Sequence, residues 1–137
     1  METQTQSVET LDGFSSLGLS ELSLKALERA GFKSPSPVQL GLIPPALAGR
    51  DCLGNAPTGT GKTGAFLLPI IEQLDERQRG VQALILAPTR ELVHQIGREF
   101  EKLSMGRRLY AAPVVGGESM VKQLQILLLT YAYYRKS

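Results

Sequence analysis

This 137-residue chain has one cysteine, one histidine and almost no excess of either charge. A lone Cys52 excludes an internal disulfide and fits a reducing, intracellular setting, cytoplasmic or, in a eukaryote, nuclear. His94 has no second ligand at a matching spacing, so no metal site built on histidine is predicted. Fifteen Lys and Arg against 13 Asp and Glu leave a net charge of +2, which does not by itself announce a nucleic-acid binder. The longest apolar run, Ile126 to Tyr134, is too short to cross a bilayer as a helix, and no membrane partner is expected. The first residues are acidic and have no apolar core, so neither a secretory signal nor a transit peptide is predicted. No internal repeat is visible.

What is present is ordinary globular usage: 42% hydrophobic and 20% charged residues, with room for one domain. Residues 1–12 are polar and expected to be disordered. Ser20 suits the N-cap of a helix that ends before Gly31, with Leu24, Leu27 and Ala30 at helical spacing. Ser36 caps a second helix with Pro37 at its first position. Pro44 and Pro45 are expected to break it, leaving a short piece to Leu47. Three strand–helix pairs follow. The strand candidates are Cys52–Gly54, the apolar run Gln82–Ala87, and Leu109–Val115. The helices after them are Lys62 to about Leu74, kinked at Pro69; one capped by Thr89 with Leu92, Val93, Ile96, Phe100 and Leu103 inward; and one capped by Ser119. That alternation predicts an α/β fold with a parallel sheet and flanking helices. Cys52 is expected to be a small core residue.

The chemistry concentrates in Ala56–Pro–Thr–Gly59–Thr–Gly61–Lys62–Thr63. A small residue, four spacers and Gly-Lys-Thr make a phosphate-binding P-loop, with Ala56 where the strict pattern has Gly. Backbone N–H groups of the turn and of the following helix can all point at a triphosphate. Gly59 and Gly61 let the phosphates approach, Lys62 reaches the β- and γ-phosphates, and Thr63 offers its hydroxyl to Mg²⁺. The nucleotide contacts then comprise Pro57, Thr58, Gly59, Thr60, Gly61, Lys62 and Thr63. Thr89 and Arg90 form a second anion-favouring place at a helix N-terminus, although a plain cap with a surface ion pair has the same residues. Gly116 and Gly117 either admit a close backbone or simply end a strand.

Four segments in order sharpen this: Gly31 to Gln39, Ala56 to Thr63, Pro88 to Gln95, and Gly116-Gly117. Together they resemble the Q motif, motif I, motif Ia and double-glycine motif of the DEAD-box RNA helicases, over about residues 13–127. The resemblance implies a partial RecA-like P-loop NTPase domain that uses ATP and Mg²⁺ and acts on RNA. It divides the chain into a tail (1–12), a Q-motif region (13–41), an incomplete ATP-binding domain (42–127) and an atypical tail (128–137). It further implies that Gln39 reads the adenine edge, that Phe14 packs on the base while Phe32 shapes the pocket, and that Pro88, Thr89, Arg90, Gly116 and Gly117 contact the RNA backbone. Glu91 is expected to be structural, and His94 a helix surface residue.

The chain also departs from that family. It has no Asp-Glu-Ala-Asp run, no Ser-Ala-Thr motif and no Thr-Pro-Gly-Arg segment after the double glycine. The final residues, with three of the four tyrosines between 131 and 134, do not continue the pattern and suggest an alternative or premature ending. Four readings therefore stand: the ATP-binding part of an RNA helicase with little turnover of its own, a non-catalytic nucleotide- or RNA-binding module, another P-loop class such as a GTPase or small-molecule kinase, and a remnant that does not fold stably. No catalytic set is complete; Lys62 and Thr63 contribute part of one.

Overall fold

The computed structural model describes residues 12–126. The tails expected at the two ends lie, but for Asp12, outside these residues. A single turn, α1 (Asp12–Ser15), comes first and was not foreseen from the sequence. Helix α2 (Glu21–Arg29) then begins as its cap predicts, the Ser20 hydroxyl accepting the Ser23 backbone N–H. At its other end the Gly31 N–H bonds to the Glu28 carbonyl and the Phe32 N–H to the Leu27 carbonyl. These two reversed bonds satisfy carbonyls the helix leaves open and turn Phe32 back toward the core.

Helix α3 spans Pro37–Leu47 without a break, contrary to the expectation from Pro44 and Pro45. The two missing N–H groups would have bonded to the carbonyls of Leu40 and Gly41. Both residues are exposed, so water can take up the freed carbonyls and the helix survives. Helix α4 (Lys62–Gln73) likewise runs through Pro69. Helix α5 (Arg90–Leu103) is capped by Thr89, whose hydroxyl accepts the Leu92 N–H at 3.2 Å, and it buries Ile96, Phe100 and Leu103. Residues 120–126 are helical behind Ser119, which accepts the Lys122 N–H.

The core is helix against helix. Helix α4 packs on α3 and on α5, and α5 packs on α2. Phe14, Leu27, Ile43, Leu67, Leu68, Ile71 and Leu103 are fully buried. One buried polar cluster ties the layer together. Glu72 on α4 accepts hydrogen bonds from the Ser20 backbone N–H (3.0 Å), the Ser20 hydroxyl (2.8 Å), the Ser23 hydroxyl and Arg107 (3.1 Å). Burial works to raise the Glu72 pKa, but the bonds from Ser23 and Ser20 and the Arg107 charge outweigh it and hold the carboxyl below its ordinary value.

The expected parallel sheet is not formed among the described residues. No backbone hydrogen bond joins residues 52–56, 82–87 and 109–115 to one another. Residues 84–87 still alternate: Ile85 and Ala87 pack on the core, while Leu84 and Leu86 are 79% and 85% exposed. The apolar run expected to be buried on both faces is thus covered by helices on one face only. Cys52 is also exposed, not a core residue, because among the described residues no strand pairs with its segment. Among the described residues no helix is long and apolar enough to cross a membrane.

Candidate functional site

The P-loop links residues 52–56 to α4. Gly61, the N-cap of α4, has φ +82°, a left-handed conformation that glycine adopts at little cost. It brings no capping side chain, so the first N–H groups of α4 are left for an anion. The Thr60 hydroxyl donates to the Pro57 carbonyl at 2.5 Å and closes the turn across Thr58 and Gly59. Lys62 is exposed and Thr63 half-buried at the helix start. Among the described residues Lys62 has no hydrogen-bond or ion-pair partner. An open helix N-terminus, an uncommitted ammonium and an adjacent hydroxyl suit a triphosphate with its divalent cation.

Gln39 is the side chain that bonds the upstream segment to this loop. It is only 2% exposed. Its Oε1 accepts the Ser36 backbone N–H at 2.9 Å, and its Nε2 donates to the Gly61 carbonyl at 3.2 Å. A Cβ on Gly61 would collide with this amide, and one on Gly64 would lie 3.2 Å from it. Two positions singled out from the sequence, 22 residues apart, are therefore in direct contact. Among the described residues each end of the amide makes one bond, leaving one Nε2 hydrogen and one Oε1 lone pair without a partner. Among the described residues the Ser36 hydroxyl, buried beside Gly61, has no hydrogen-bond partner.

The aromatic pair differs from its expectation. Phe14 is fully buried among core leucines and meets Phe32 edge to face at 6.2 Å. It presents no open face on which a base could pack. Burying a whole phenyl ring in the core outweighs leaving it free, and only Phe32 keeps exposed surface. A cleft of about 710 Å³ lies between α3 and residues 50–57. It touches the P-loop at Ala56 and Pro57 but is not lined by Gln39 or Lys62, so its size does not make it the phosphate site.

The second group assembles at the start of α5. Pro88, Thr89 and Arg90 are exposed there. The Arg90 guanidinium lies over Gly117, where a Cβ would sit 2.7–2.9 Å from its Nη1, Nη2 and Cζ. Gly116 beside it is open. Among the described residues Arg90 has no hydrogen-bond or ion-pair partner. His94, on the surface of α5, is bonded to Glu118 at 2.8 Å. Nothing in residue type alone signals that pair, since it closes a 24-residue loop.

Residues 36–134 match the DEAD/DEAH box helicase family. The chain belongs to that family. This DEAD/DEAH-family chain is 50% identical over 111 residues to the human protein named probable ATP-dependent RNA helicase DDX49, covering 81% of the chain and 23% of that protein. It is 43% identical over 114 residues to the DEAD-box ATP-dependent RNA helicase CshA of Geobacillus kaustophilus, covering 83% and 24%. The chain thus spans about a quarter of the length of the curated relatives it matches. Its fold is similar to a DEAD box protein from Methanococcus jannaschii, with a TM-score of 0.79 and 37% identity over 84% of this chain and 32% of that one. It also resembles Chaetomium thermophilum Prp28 bound to ADP, with a TM-score of 0.69 and 39% identity over 90% and 29%. Saccharomyces cerevisiae Dbp5 bound to RNA and ADP BeF3 matches with a TM-score of 0.67 and 31% identity over 70% and 25%.

Proposed function

We propose that this chain carries the ATP-binding half-site and part of the RNA surface of an ATP-dependent RNA helicase. The observation that carries the reading is the Gln39 amide bonded to the Gly61 carbonyl, which places a donor–acceptor side chain directly on the phosphate loop. Adenine offers a paired acceptor and donor that an amide complements, and guanine does not. Lys62 would hold the β- and γ-phosphates and Thr63 the Mg²⁺, with Pro57 to Gly61 supplying the turn. Phe32 would flank the base, with Phe14 acting behind it through the core. RNA would lie along Pro88, Thr89, Arg90, Gly116 and Gly117 by its phosphates, since a helix N-terminus and a guanidinium both favour an anion and bare glycine backbone lets it approach. The segments 52–56, 82–87 and 109–115 would be parallel strands, completed by neighbours beyond the described residues. Their one-sided burial and outward-facing leucines support this.

A second reading concerns turnover. Hydrolysis needs carboxylates that organise Mg²⁺ and the attacking water. This sequence has no Asp-Glu-Ala-Asp run, so we propose that the 137-residue chain alone binds without turning over ATP at a useful rate. Competition of ATP and GTP for a fluorescent nucleotide, with Lys62→Ala as control, tests the first reading. ATP competing at least about tenfold better supports it; equal competition points to another P-loop class. RNA-stimulated phosphate release that disappears in Lys62→Ala would overturn the second.

A further inference from the structure

Three successive positions on one face of α5, residues 90, 94 and 97, hold the loop that carries the double glycine. Spaced i, i+4 and i+7, they lie one above the other. Arg90 covers Gly117, His94 bonds to Glu118, and Gly97 receives Pro113, whose Cγ would be 3.2 Å from a Cβ at that position. The far side of the loop is closed by Gln123, whose amide accepts from the Val115 N–H and donates to the Val115 carbonyl, each at 3.0 Å. Between these anchors Gly116 has open space around it. Among the described residues the His94–Glu118 bond is the one hydrogen bond from residues 116–118 to α5.

This bond also fixes where the Glu118 carboxylate lies. Glu118 follows the glycine on which the Arg90 guanidinium rests. Its carboxylate is thus one residue from the backbone under that arginine, yet among the described residues no ion pair forms between them. His94, one turn along the helix, holds the carboxylate instead. An arginine already paired with a carboxylate would have to lose that partner before gripping a phosphate.

We propose that His94 and Glu118 are positioning residues for RNA: their bond holds the double-glycine turn on α5 and keeps the Glu118 carboxylate off Arg90, leaving that guanidinium free for a phosphodiester. The proposal rests on the reading of the Arg90 face as an RNA surface. Removing the imidazole releases both the turn and the carboxylate. Replacing Glu118 by Gln keeps a partner for either imidazole tautomer and deletes the competing charge.

The test is binding of a short fluorescent single-stranded RNA by the full chain and its variants, followed by anisotropy at fixed salt. His94→Ala should raise Kd about threefold to tenfold. Glu118→Gln should bind at least as tightly as the native chain. Arg90→Ala should lose at least about tenfold. Amide hydrogen exchange gives a reading independent of RNA: exchange at residues 116–119 should quicken in His94→Ala and not in Glu118→Gln. If Arg90→Ala loses affinity while His94→Ala does not, the positioning role is wrong and the RNA surface stands. If Glu118→Gln binds as weakly as His94→Ala, the bond does not act as described. If Arg90→Ala binds like the native chain, or no chain binds, the surface reading falls and the proposal with it. Unchanged exchange in His94→Ala overturns the anchoring whatever the RNA result.

Discussion

The Gln39 side chain donates its amide to the Gly61 carbonyl at 3.2 Å while accepting the Ser36 N–H at 2.9 Å. One residue thereby joins the N-cap of α3 to the N-cap of α4. Any change in the path of the phosphate loop must be met by this amide, and any loss of the amide loosens the loop.

Gly61→Ala should therefore damage the nucleotide site from two directions. Its φ of +82° is unfavourable for alanine by about 1 kcal/mol, and the new methyl group would displace Gln39. Nucleotide affinity is expected to fall at least about tenfold, read by titration with a fluorescent ATP analogue. Gly59→Ala has open space around its Cβ and should cost stability through φ alone, so it serves as the comparison. Equal losses in the two variants would show that contact with Gln39 does not matter.

Lys62→Ala should leave the fold intact, because the side chain is exposed and has no partner among the described residues. A ligand that binds only the folded state raises the thermal midpoint in proportion to ln(1 + [L]/Kd). With Mg-ATP the native midpoint should rise and the variant's should not, while their midpoints without nucleotide agree. A variant that still responds to ATP would remove Lys62 from the site.

Glu72 predicts a pH dependence. Its folded carboxyl titrates below its ordinary value, 4.5. The stability it contributes is therefore complete above about pH 4.5 and is lost as pH falls through the lower folded value. Urea denaturation between pH 7 and acid should show this loss in the native chain and a flatter profile in Glu72→Gln. Arg107→Ala should cost about 2 kcal/mol at neutral pH, since it takes the charge partner from a carboxylate that is only 14% exposed and leaves it with its serine bonds alone. A flat profile in the native chain would mean that the clasp is energetically idle.

Gly97→Ala sets two small terms against each other. Alanine gains about 1 kcal/mol of helix propensity over glycine. The methyl group would meet Pro113 at 3.2 Å, tight enough to push that ring by a few tenths of an ångström. Pro113 lies in a segment without ladder bonds and can yield, so the net change should be a stabilisation smaller than about 1 kcal/mol. Gly97→Leu should instead lift the 113–118 loop and weaken RNA binding. Normal RNA affinity in Gly97→Leu would show that the loop's seat on α5 is dispensable.

What could be read in advance follows the range of the interactions. The caps at Ser20, Thr89 and Ser119 each connect residues three apart and are visible in the string itself. The phosphate loop is equally local, since its glycines, lysine and threonine act within one turn. The order of four short segments was enough to bring the helicase family into view. Pro44 and Pro45 misled, because a proline ends a helix only when the carbonyl it frees has no other partner, and Leu40 and Gly41 face water.

The sequence by itself determined where the capped helices begin and where the glycine-rich loop lies, because each depends on side chains within a turn of their targets. Tertiary structure alone decided the rest. It sank Phe14 into the core, gave Gln39 its bond to Gly61, closed Glu72 on Arg107 across 35 residues, and set Glu118 on His94. It also left Leu84 and Leu86 outward, since a strand is covered only where a neighbour lies beside it. Contacts between segments depend on where folding brings each backbone, and no local pattern of residue types contains that distance.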